Sequence, residues 1–272
     1  MALSRQVLTI SSQVAVGPVG NSAIAPALLA LGVTPIALST IILSNHPGHG
    51  RPEGLAMPAE KLASMLNRLI EQGFIGDDVV VLTGYFAHEE QIAALAPIIA
   101  GLPKSFYLCD PILGDTHKGL YVAEAVARGI RDKLVPLADA LLPNVFELGW
   151  LAGHAVTDRA SALAAASVFP GKSVLATSLP EGSNLTTALI ESGRLHAVAR
   201  PKLDQVPQGT GDLLSGLLAA RLAQAHTLTD SLGFAVAAVE HVIAKSLGTA
   251  SLDLARGLKD IEAIAPHAVS DG

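Results

Sequence analysis

Short apolar runs that recur along the chain, with helical patterns between them, constrain its fold more than any other feature. The runs fall at residues 7–10, 36–38, 79–82, 106–109, 138–142 and 174–177. Strand-length runs that alternate with helical patterns are typical of βαβ units and of a mostly parallel sheet. Hydrophobic residues make up 50% of the chain and charged residues 15%, which suits strands covered by helices on both faces. We therefore predict an α/β fold.

The C-terminal part adds a hairpin and two helices to this pattern. Apolar runs at 185–190 and 195–198 flank Glu191-Ser192-Gly193, which predicts an antiparallel hairpin at the sheet edge. Helices are predicted at about 212–225 and 229–247. Because no repeat, low-complexity tract or linker-like composition divides the chain, we expect one domain over residues 1–272.

Composition and charge exclude several classes of partner. A formal net charge of −6 and an aromatic content of 4% disfavour nucleic acid. Residues 6–50 contain no Lys, Arg, Asp or Glu, but prolines and glycines cut them into pieces shorter than the roughly 20 apolar residues of a membrane span. The single cysteine, Cys109, excludes an internal disulfide and fits a reducing compartment. We predict a cytoplasmic protein with no membrane partner.

The segment Gly209-Thr210-Gly211-Asp212 lies just before an apolar helical pattern. Its amides are predicted at a helix N-terminus, which attracts anions, and its glycines allow a phosphate to approach the backbone. Asp212 can act there as a general base. A glycine-rich turn with an ordinary Asp N-cap fits the local pattern equally well. Our interpretation is an enzyme that transfers phosphate.

Two further polar segments follow predicted strands, where ligands bind in parallel sheets. Asp110 and Asp115 lie on one loop, and hard carboxylate ligands suit Mg²⁺ that carries nucleotide phosphates. Asn144 and Glu147 have the spacing of a capping box but can equally hold metal-bound water, and both can be true.

Other nucleotide and hydrolase signatures are incomplete. The Gly-Lys-Ser at 171–173 lacks the first glycine of a P-loop and precedes a strand. The glycines at 17–20 do not have dinucleotide-fingerprint spacing, and residues 20–24 lack the second glycine of a nucleophile elbow. His46 and His49, in a Gly/Pro loop, favour a substrate flap over a metal site.

Seven short motifs follow one another in a fixed order: Ser12, Gly20-Asn21-Ser22, Ser44-Asn45-His46, Leu82-Thr83-Gly84-Tyr85, Cys109-Asp110-Pro111-Ile112-Leu113-Gly114-Asp115, Pro143-Asn144-Val145-Phe146-Glu147 and Gly209-Thr210-Gly211-Asp212. Together they resemble the pyridoxal kinases of the ribokinase-like family, from about residue 6 to about residue 225. The resemblance implies a three-layer α-β-α sandwich with a mostly parallel central sheet and an antiparallel edge hairpin.

The resemblance also implies an activity. The ATP γ-phosphate is transferred to the 5′-hydroxymethyl of pyridoxal, pyridoxine or pyridoxamine, in vitamin B6 salvage. Asp212 is then the base, and the amides of Gly209, Thr210 and Gly211 form the anion hole. The implied ions are Mg²⁺ and a monovalent cation such as K⁺, and the implied assembly is a homodimer. The metal ligands, direct or through water, are Asp110, Asp115 and Glu147.

Substrate contacts are carried over in the same way. The vitamer pocket comprises Ser12, Val19, His46, Pro47, Tyr85 and Asp212. The ATP site comprises Asp110, Leu142, Asn144, Glu147, Thr177, Ser178, Val206, Pro207 and Gln208. Segments 47–54 and 116–120 are predicted flaps, and Lys118 is expected to neutralise phosphate charge.

The sequence departs from the family pattern most clearly at Pro47, where these kinases commonly carry a threonine whose hydroxyl contacts the vitamer. Proline has neither a side-chain donor nor a backbone N–H. Two alternatives remain open: a hydroxymethylpyrimidine kinase with the same acidic loop and glycine turn, and a non-catalytic carrier of pyridoxal phosphate. The Ser44-Asn45-His46 motif favours pyridoxal over the first, and the retained Asp212, Asp115 and Glu147 argue against the second.

Overall fold

The computed structural model describes residues 6–76, 78–102, 105–203 and 206–272, and its centre is a ten-stranded sheet. The strands are β1 (Gln6–Val16), β2 (Pro35–Asn45), β3 (Gly54–Ala56), β4 (Val79–Thr83), β5 (Phe106–Cys109), β6 (Gly114–Asp115), β7 (Gly119–Leu120), β8 (Ala140–Leu141), β9 (Ser173–Glu181), β10 (Asn184–Glu191), β11 (Arg194–Pro201) and β12 (Ser270–Asp271).

The sheet is parallel at its centre and antiparallel at both edges. Its strand order is β12-β11-β10-β9-β8-β5-β4-β1-β2-β3. Strands β9, β8, β5, β4, β1 and β2 run parallel to one another, as the alternating pattern predicts. The predicted hairpin is confirmed as β10–β11, and β12 pairs outside it. Strands β6 and β7 form a separate two-stranded hairpin, so the predicted flap at 116–120 includes the β7 strand.

Helices cover both faces of this sheet. Those in the described residues are α1 (Asn21–Ala30), α2 (Ala59–Glu71), α3 (Glu89–Ala100), α4 (Glu124–Gly129), α5 (Val145–Ala152), α6 (Arg159–Ala166), α7 (Thr210–Ala223), α8 (Leu228–Lys245) and α9 (Leu254–Gly257). Both predicted C-terminal helices are present, as α7 and α8. None of the helices described is long and apolar enough to span a membrane.

Strand β4 shows how the layers are built. All five of its residues are buried, and successive side chains point to opposite faces. Val79 and Val81 belong to an apolar core that includes residues of α2–α6. Val80 and Leu82 belong to a second core, with α1, α7 and α8. Because both faces of β4 are buried, this strand needs a continuous apolar run. The predicted three-layer α-β-α arrangement is confirmed.

Strands β1 and β2 extend further than the apolar runs predict. Their parallel pairing shifts register between Ser11 and Gln13 and then continues to the pair Val16 and Asn45. Ser12, which comes just after the apolar run at 7–10, therefore lies within β1. Ser44 lies within β2 for the same reason, because backbone pairing extends that strand through polar residues. The flap at 47–54 begins as a 3-10 turn, Pro47–His49, and ends at the first residue of β3.

Candidate active site

Carboxylates from three separate elements meet at the carboxyl ends of the parallel strands. Asp110 follows β5, Glu147 lies in the first turn of α5, and Asp212 lies in the first turn of α7. Burial raises the pKa of Asp110 well above its usual range, and the neighbouring charges of Glu147 and Asp212 raise it further. Burial also raises the pKa of Glu147 to about 7 and that of Asp212 to about 6. Within the described residues, no Lys or Arg side chain forms an ion pair with any of the three.

The head of α7 differs from an ordinary aspartate-capped helix. The N-cap is Gly209, with φ 96°, and it makes no side-chain capping bond, so Asp212 is the third residue of the helix. The Asp N-cap interpretation is therefore wrong. A Cβ at Gly209 would lie 2.2 Å from the Pro18 carbonyl oxygen. The glycine lets the helix head approach the β1–α1 turn, and it leaves the first-turn amides facing outward.

Asp212 lies against that turn. The backbone N–H of Gly20 is directed at its carboxylate and partly offsets the effect of burial on its pKa. Its Oδ1 is shielded from solvent and has no hydrogen-bond partner among the described residues. Gly20 also lies against Ser12, since a Cβ there would be 2.3 Å from both the carbonyl oxygen and Oγ of Ser12. The predicted base and the predicted pyridine contact thus flank one glycine.

Glu147 is held by the backbone of two elements. Its Oε2 accepts from the Asn144 amide at 2.9 Å, and its Oε1 accepts from the Leu113 amide at 2.8 Å. The Asn144 side chain accepts from the amides of Phe146 and Glu147. The capping-box interpretation of this motif is therefore confirmed. Amides engage both Glu147 oxygens, and each oxygen keeps a further lone pair, so this residue can act on a cation directly or through water.

Asp115 shapes the hairpin that projects over the carboxylates. Its Oδ1 accepts from the amides of His117 and Lys118, each at 2.8 Å, in the turn that joins β6 to β7. The side chain of Asp115 is half-buried. This geometry explains the position of the carboxylate by local turn formation, so a metal role for Asp115 remains a prediction.

The sequence reasoning missed Tyr121, which directly follows the β6–β7 hairpin. Its amide donates to the Leu113 carbonyl at 3.0 Å. Burial raises the pKa of its phenol, and the charges of Glu147 and Asp110 raise it further. The phenol therefore stays protonated and can donate a hydrogen bond among the carboxylates. The sequence did offer a signal for this residue. Tyr121 comes one residue after the acidic-loop hairpin, and the chain has only 3 tyrosines.

The flap residues meet at the opposite side of the site. His46 caps the 3-10 turn that Pro47 opens, and its Nδ1 accepts from the Gly48 amide at 3.1 Å. Burial lowers the pKa of His46, and His49 and Lys118 lower it further. His46 is thus a neutral imidazole whose other nitrogen is free to donate. His49 Nε2 lies 3.1 Å from Ser251 Oγ, which connects the flap to the segment after α8.

The remaining predicted vitamer contacts lie around Ser12. The Tyr85 amide donates to Ser11 Oγ at 3.1 Å, and the Tyr85 carbonyl accepts from Thr40 Oγ1 at 2.7 Å. Val19, half-buried, immediately precedes Gly20 in the β1–α1 turn. Both predicted residues are therefore placed beside the strand that carries Ser12.

The predicted nucleotide contacts divide into two groups. Leu142 is buried, and Asn144 forms an isolated parallel bridge with Thr177, so these residues lie together beyond β8 and within β9. Ser178 is exposed and adopts a left-handed φ of 59°. The second group precedes α7 and comprises Val206, which is exposed, with Pro207 and Gln208.

The sequence as a whole matches known kinases. Residues 30–254 match the family model described as phosphomethylpyrimidine kinase. Pyridoxal kinase PdxY of Rubrobacter xylanophilus is 33% identical over 278 residues, which span 95% of this chain and 91% of that protein. This chain belongs to the pyridoxal kinase family. Another relative is the pyridoxine/pyridoxal/pyridoxamine kinase of Bordetella avium, 36% identical over 79% of this chain and 77% of that protein.

A solved pyridoxal kinase has the same fold over nearly the whole chain. The Leishmania donovani enzyme, in complex with ADP and pyridoxamine, superposes with a TM-score of 0.90 at 26% identity, over 98% of this chain and 99% of that one. The predicted family and its ribokinase-like fold are confirmed.

Proposed function

We propose that the chain transfers the γ-phosphate of ATP to the 5′-hydroxymethyl group of pyridoxal, pyridoxine or pyridoxamine. The observation that carries this proposal is the Asp212 carboxylate at the head of α7, with a shielded, unpartnered Oδ1 and a pKa of about 6. A base with that pKa is ionised at neutral pH and can accept the hydroxyl proton as the phosphate is transferred. The amides of Gly209, Thr210 and Gly211 then bind the transferred phosphate.

The vitamer lies, in this proposal, between the β1–α1 turn and the flap. Ser12 donates to the polar edge of the pyridine ring, and the neutral His46 presents its free N–H from the other side. Val19 and Tyr85 form the walls. Pro47 supplies no hydrogen bond, so the ring is recognised here with one polar contact fewer than in relatives that carry threonine.

The donors at the site fit Mg²⁺ that arrives with the nucleotide. Buried carboxylates without a cationic partner favour a bound cation, because it offsets their mutual repulsion. No group of three His, Cys, Asp or Glu side chains in the described ranges is arranged to hold a metal alone. Mg²⁺ commonly takes one or two carboxylates together with water and phosphate oxygens, and it would neutralise phosphate charge here. We assign Asp110, Asp115 and Glu147 to this role, directly or through water, and extend the proposal to a monovalent cation such as K⁺.

A direct test is to incubate the protein with Mg-ATP and each B6 vitamer, and in parallel with hydroxymethylpyrimidine, and to detect the phosphorylated product by mass spectrometry. We expect the 5′-phosphate of at least pyridoxal. Preference for hydroxymethylpyrimidine would favour the activity that names the matched family model. Binding of pyridoxal phosphate without any turnover would indicate a carrier and would contradict the proposal.

We also propose that the whole chain, residues 1–272, acts as one kinase domain that forms a homodimer in the cytoplasm. Supporting the dimer, Ile42 and Leu55 are paired across β2 and β3 at the sheet edge, and their side chains are 49% and 66% exposed. Exposed apolar patches at an edge strand mark association surfaces. Leu55→Asp should shift the mass measured by light scattering from dimer to monomer. Val168→Asp, at another exposed apolar residue, should not.

A further inference from the structure

The Asp110 carboxylate is contacted by a side chain from the helix that carries the proposed base. Ser215 lies on α7, three residues after Asp212, so the two side chains share one helix face. Its Oγ lies 2.6 Å from Asp110 Oδ2 and 2.9 Å from the Gly211 carbonyl. The serine is 1% exposed. This contact joins positions 105 residues apart in the sequence.

The hydroxyl has one hydrogen and two acceptors within reach. The contact with Asp110 is the shorter of the two, 2.6 Å against 2.9 Å, and in it the serine hydroxyl is the donor and Asp110 Oδ2 is the acceptor. The Gly211 carbonyl is four residues back on the same helix and is the acceptor that buried helical serines ordinarily use. Ser215 therefore donates to Asp110, and its approach to Gly211 fixes the hydroxyl oxygen in place.

The other support of Asp110 comes from strained backbone. Ile112 adopts a left-handed φ of 42°, which is an outlier for a β-branched residue. In that conformation the Ile112 amide is directed at Asp110 and lowers its pKa, while the next amide, of Leu113, donates to Glu147 Oε1 at 2.8 Å. Backbone strain of this kind persists only where neighbouring structure enforces it. The backbone of the acidic loop thus directs its amides toward the carboxylates, and Ser215 contacts Asp110 from α7.

We propose that Ser215 is a positioning residue that sets the Asp110 carboxylate for the nucleotide-bound cation and fixes it relative to Asp212. The hydroxyl does not touch substrate and acts through Asp110. Ser215 lies one turn after Asp212 on α7. This one helix therefore carries the proposed base and also positions the Asp110 carboxylate. This inference rests on the proposed kinase function and adds a residue that the motif pattern does not contain.

The test compares Ser215→Ala with Ser231→Ala in the full chain. Ser231 is also fully buried, and it donates to the Thr227 carbonyl four residues back at 2.6 Å without touching a carboxylate. The first readout is ADP affinity by calorimetry with and without Mg²⁺. Loss of an outer partner of a metal ligand typically costs 10- to 100-fold in metal affinity. We expect Ser215→Ala to lose about tenfold or more of the Mg²⁺-dependent gain in ADP affinity, and Ser231→Ala to retain it.

A second readout follows turnover against Mg²⁺ concentration. In Ser215→Ala the apparent KM for Mg²⁺ should rise by a similar factor, with a smaller change in kcat at saturating Mg²⁺. An unchanged Mg²⁺ dependence in both readouts would overturn the proposal. Absence of turnover in the unsubstituted protein would instead refute the proposed function, and the calorimetric comparison would still decide the role of Ser215.

Should Ser215→Ala fail to fold, the pair Ser215→Thr and Ser215→Val answers the same question, since the two side chains have nearly the same shape and differ by the hydroxyl. Threonine should restore the Mg²⁺ dependence and valine should not. Equal behaviour of the two at comparable thermal stability would show that the hydroxyl is only structural.

Discussion

Replacing Asp212 by asparagine should remove turnover and, at the same time, stabilise the fold. The pKa of this carboxyl rises from 3.8 to about 6 because burial disfavours its charged form. A rise of about two units corresponds to about 3 kcal/mol of free energy of unfolding at neutral pH. Since the side chain is only half-buried, solvent screening reduces this to about 1–2 kcal/mol. For a chain of this size the melting temperature should rise by roughly 2–8 °C.

The pH dependence has a defined sign. A carboxyl whose pKa is raised in the folded state binds its proton more tightly there than in the unfolded chain, so stability is lost as the pH rises. The loss develops between the unfolded pKa of 3.8 and the folded pKa of about 6, and it is complete above that. The stability difference between Asp212→Asn and the unsubstituted protein should therefore be small near pH 4 and largest above pH 6.

Asp230 supplies a matched control. It is also the third residue of its helix, α8, but there it accepts a capping bond from Thr227, which lowers its pKa. Asp230→Asn should therefore destabilise the protein slightly and leave turnover intact. The assay is thermal unfolding from pH 4 to 8 with EDTA present, together with single-turnover kinetics, in which Asp212→Asn should lose about 10²- to 10⁴-fold. A variant no more stable than its parent at pH 8, or one with near-normal turnover, would refute the reasoning.

Three other outcomes follow from the same geometry. The kcat/KM for pyridoxal should fall as the pH drops through about 6, because Asp212 must be ionised to accept a proton, and a profile flat down to pH 5 would contradict this. Tyr121→Phe should lower kcat/KM for ATP by about tenfold, the value of one hydrogen bond to a charged group. The melting temperature should change little because the side chain is 49% exposed, and equal kinetics would show that the phenol donates no hydrogen bond in the working site. Gly20→Ala should lower both stability and vitamer affinity, because its Cβ would lie 2.3 Å from Ser12. Gly32 also has a positive φ but has nothing within 4 Å of an added Cβ, so Gly32→Ala should cost only about 1–2 kcal/mol, measured by denaturant unfolding.

The local sequence pattern was sufficient to predict the elements that depend on residues close together in the chain. The five buried residues of β4 had to be continuously apolar because both sheet faces are covered, and the Asn144/Glu147 capping box depends on a spacing of three. The order of the seven short motifs was sufficient to indicate the family. These features are encoded within a few residues, or in the order of short segments, and both are visible in a single sequence.

Contacts between distant segments were not visible in that way. The polar end of β1 has no apolar pattern, and its strand conformation comes from pairing with β2 about 30 residues later. Tyr121 enters the site because a hairpin carries it back over the acidic loop, and Ser215 faces Asp110 because α7 packs across the ends of the strands. An isolated serine carries no spacing signal, and the position of Tyr121 just after the hairpin does not show which groups its phenol faces, so the folded geometry is needed to assign both residues.

The site combines features that each oppose stability. Carboxylates are buried close together, and the loop that aims amides at them contains a left-handed isoleucine. Strain and like charge persist where the surrounding structure enforces them, and here the two apolar cores that sandwich the sheet anchor the elements that carry Asp110, Glu147 and Asp212. A cation that binds only the folded chain would offset the repulsion. The burial that raises the pKa of Asp212, the proposed base, is therefore also the reason that a cation carried by the nucleotide phosphates should stabilise the site.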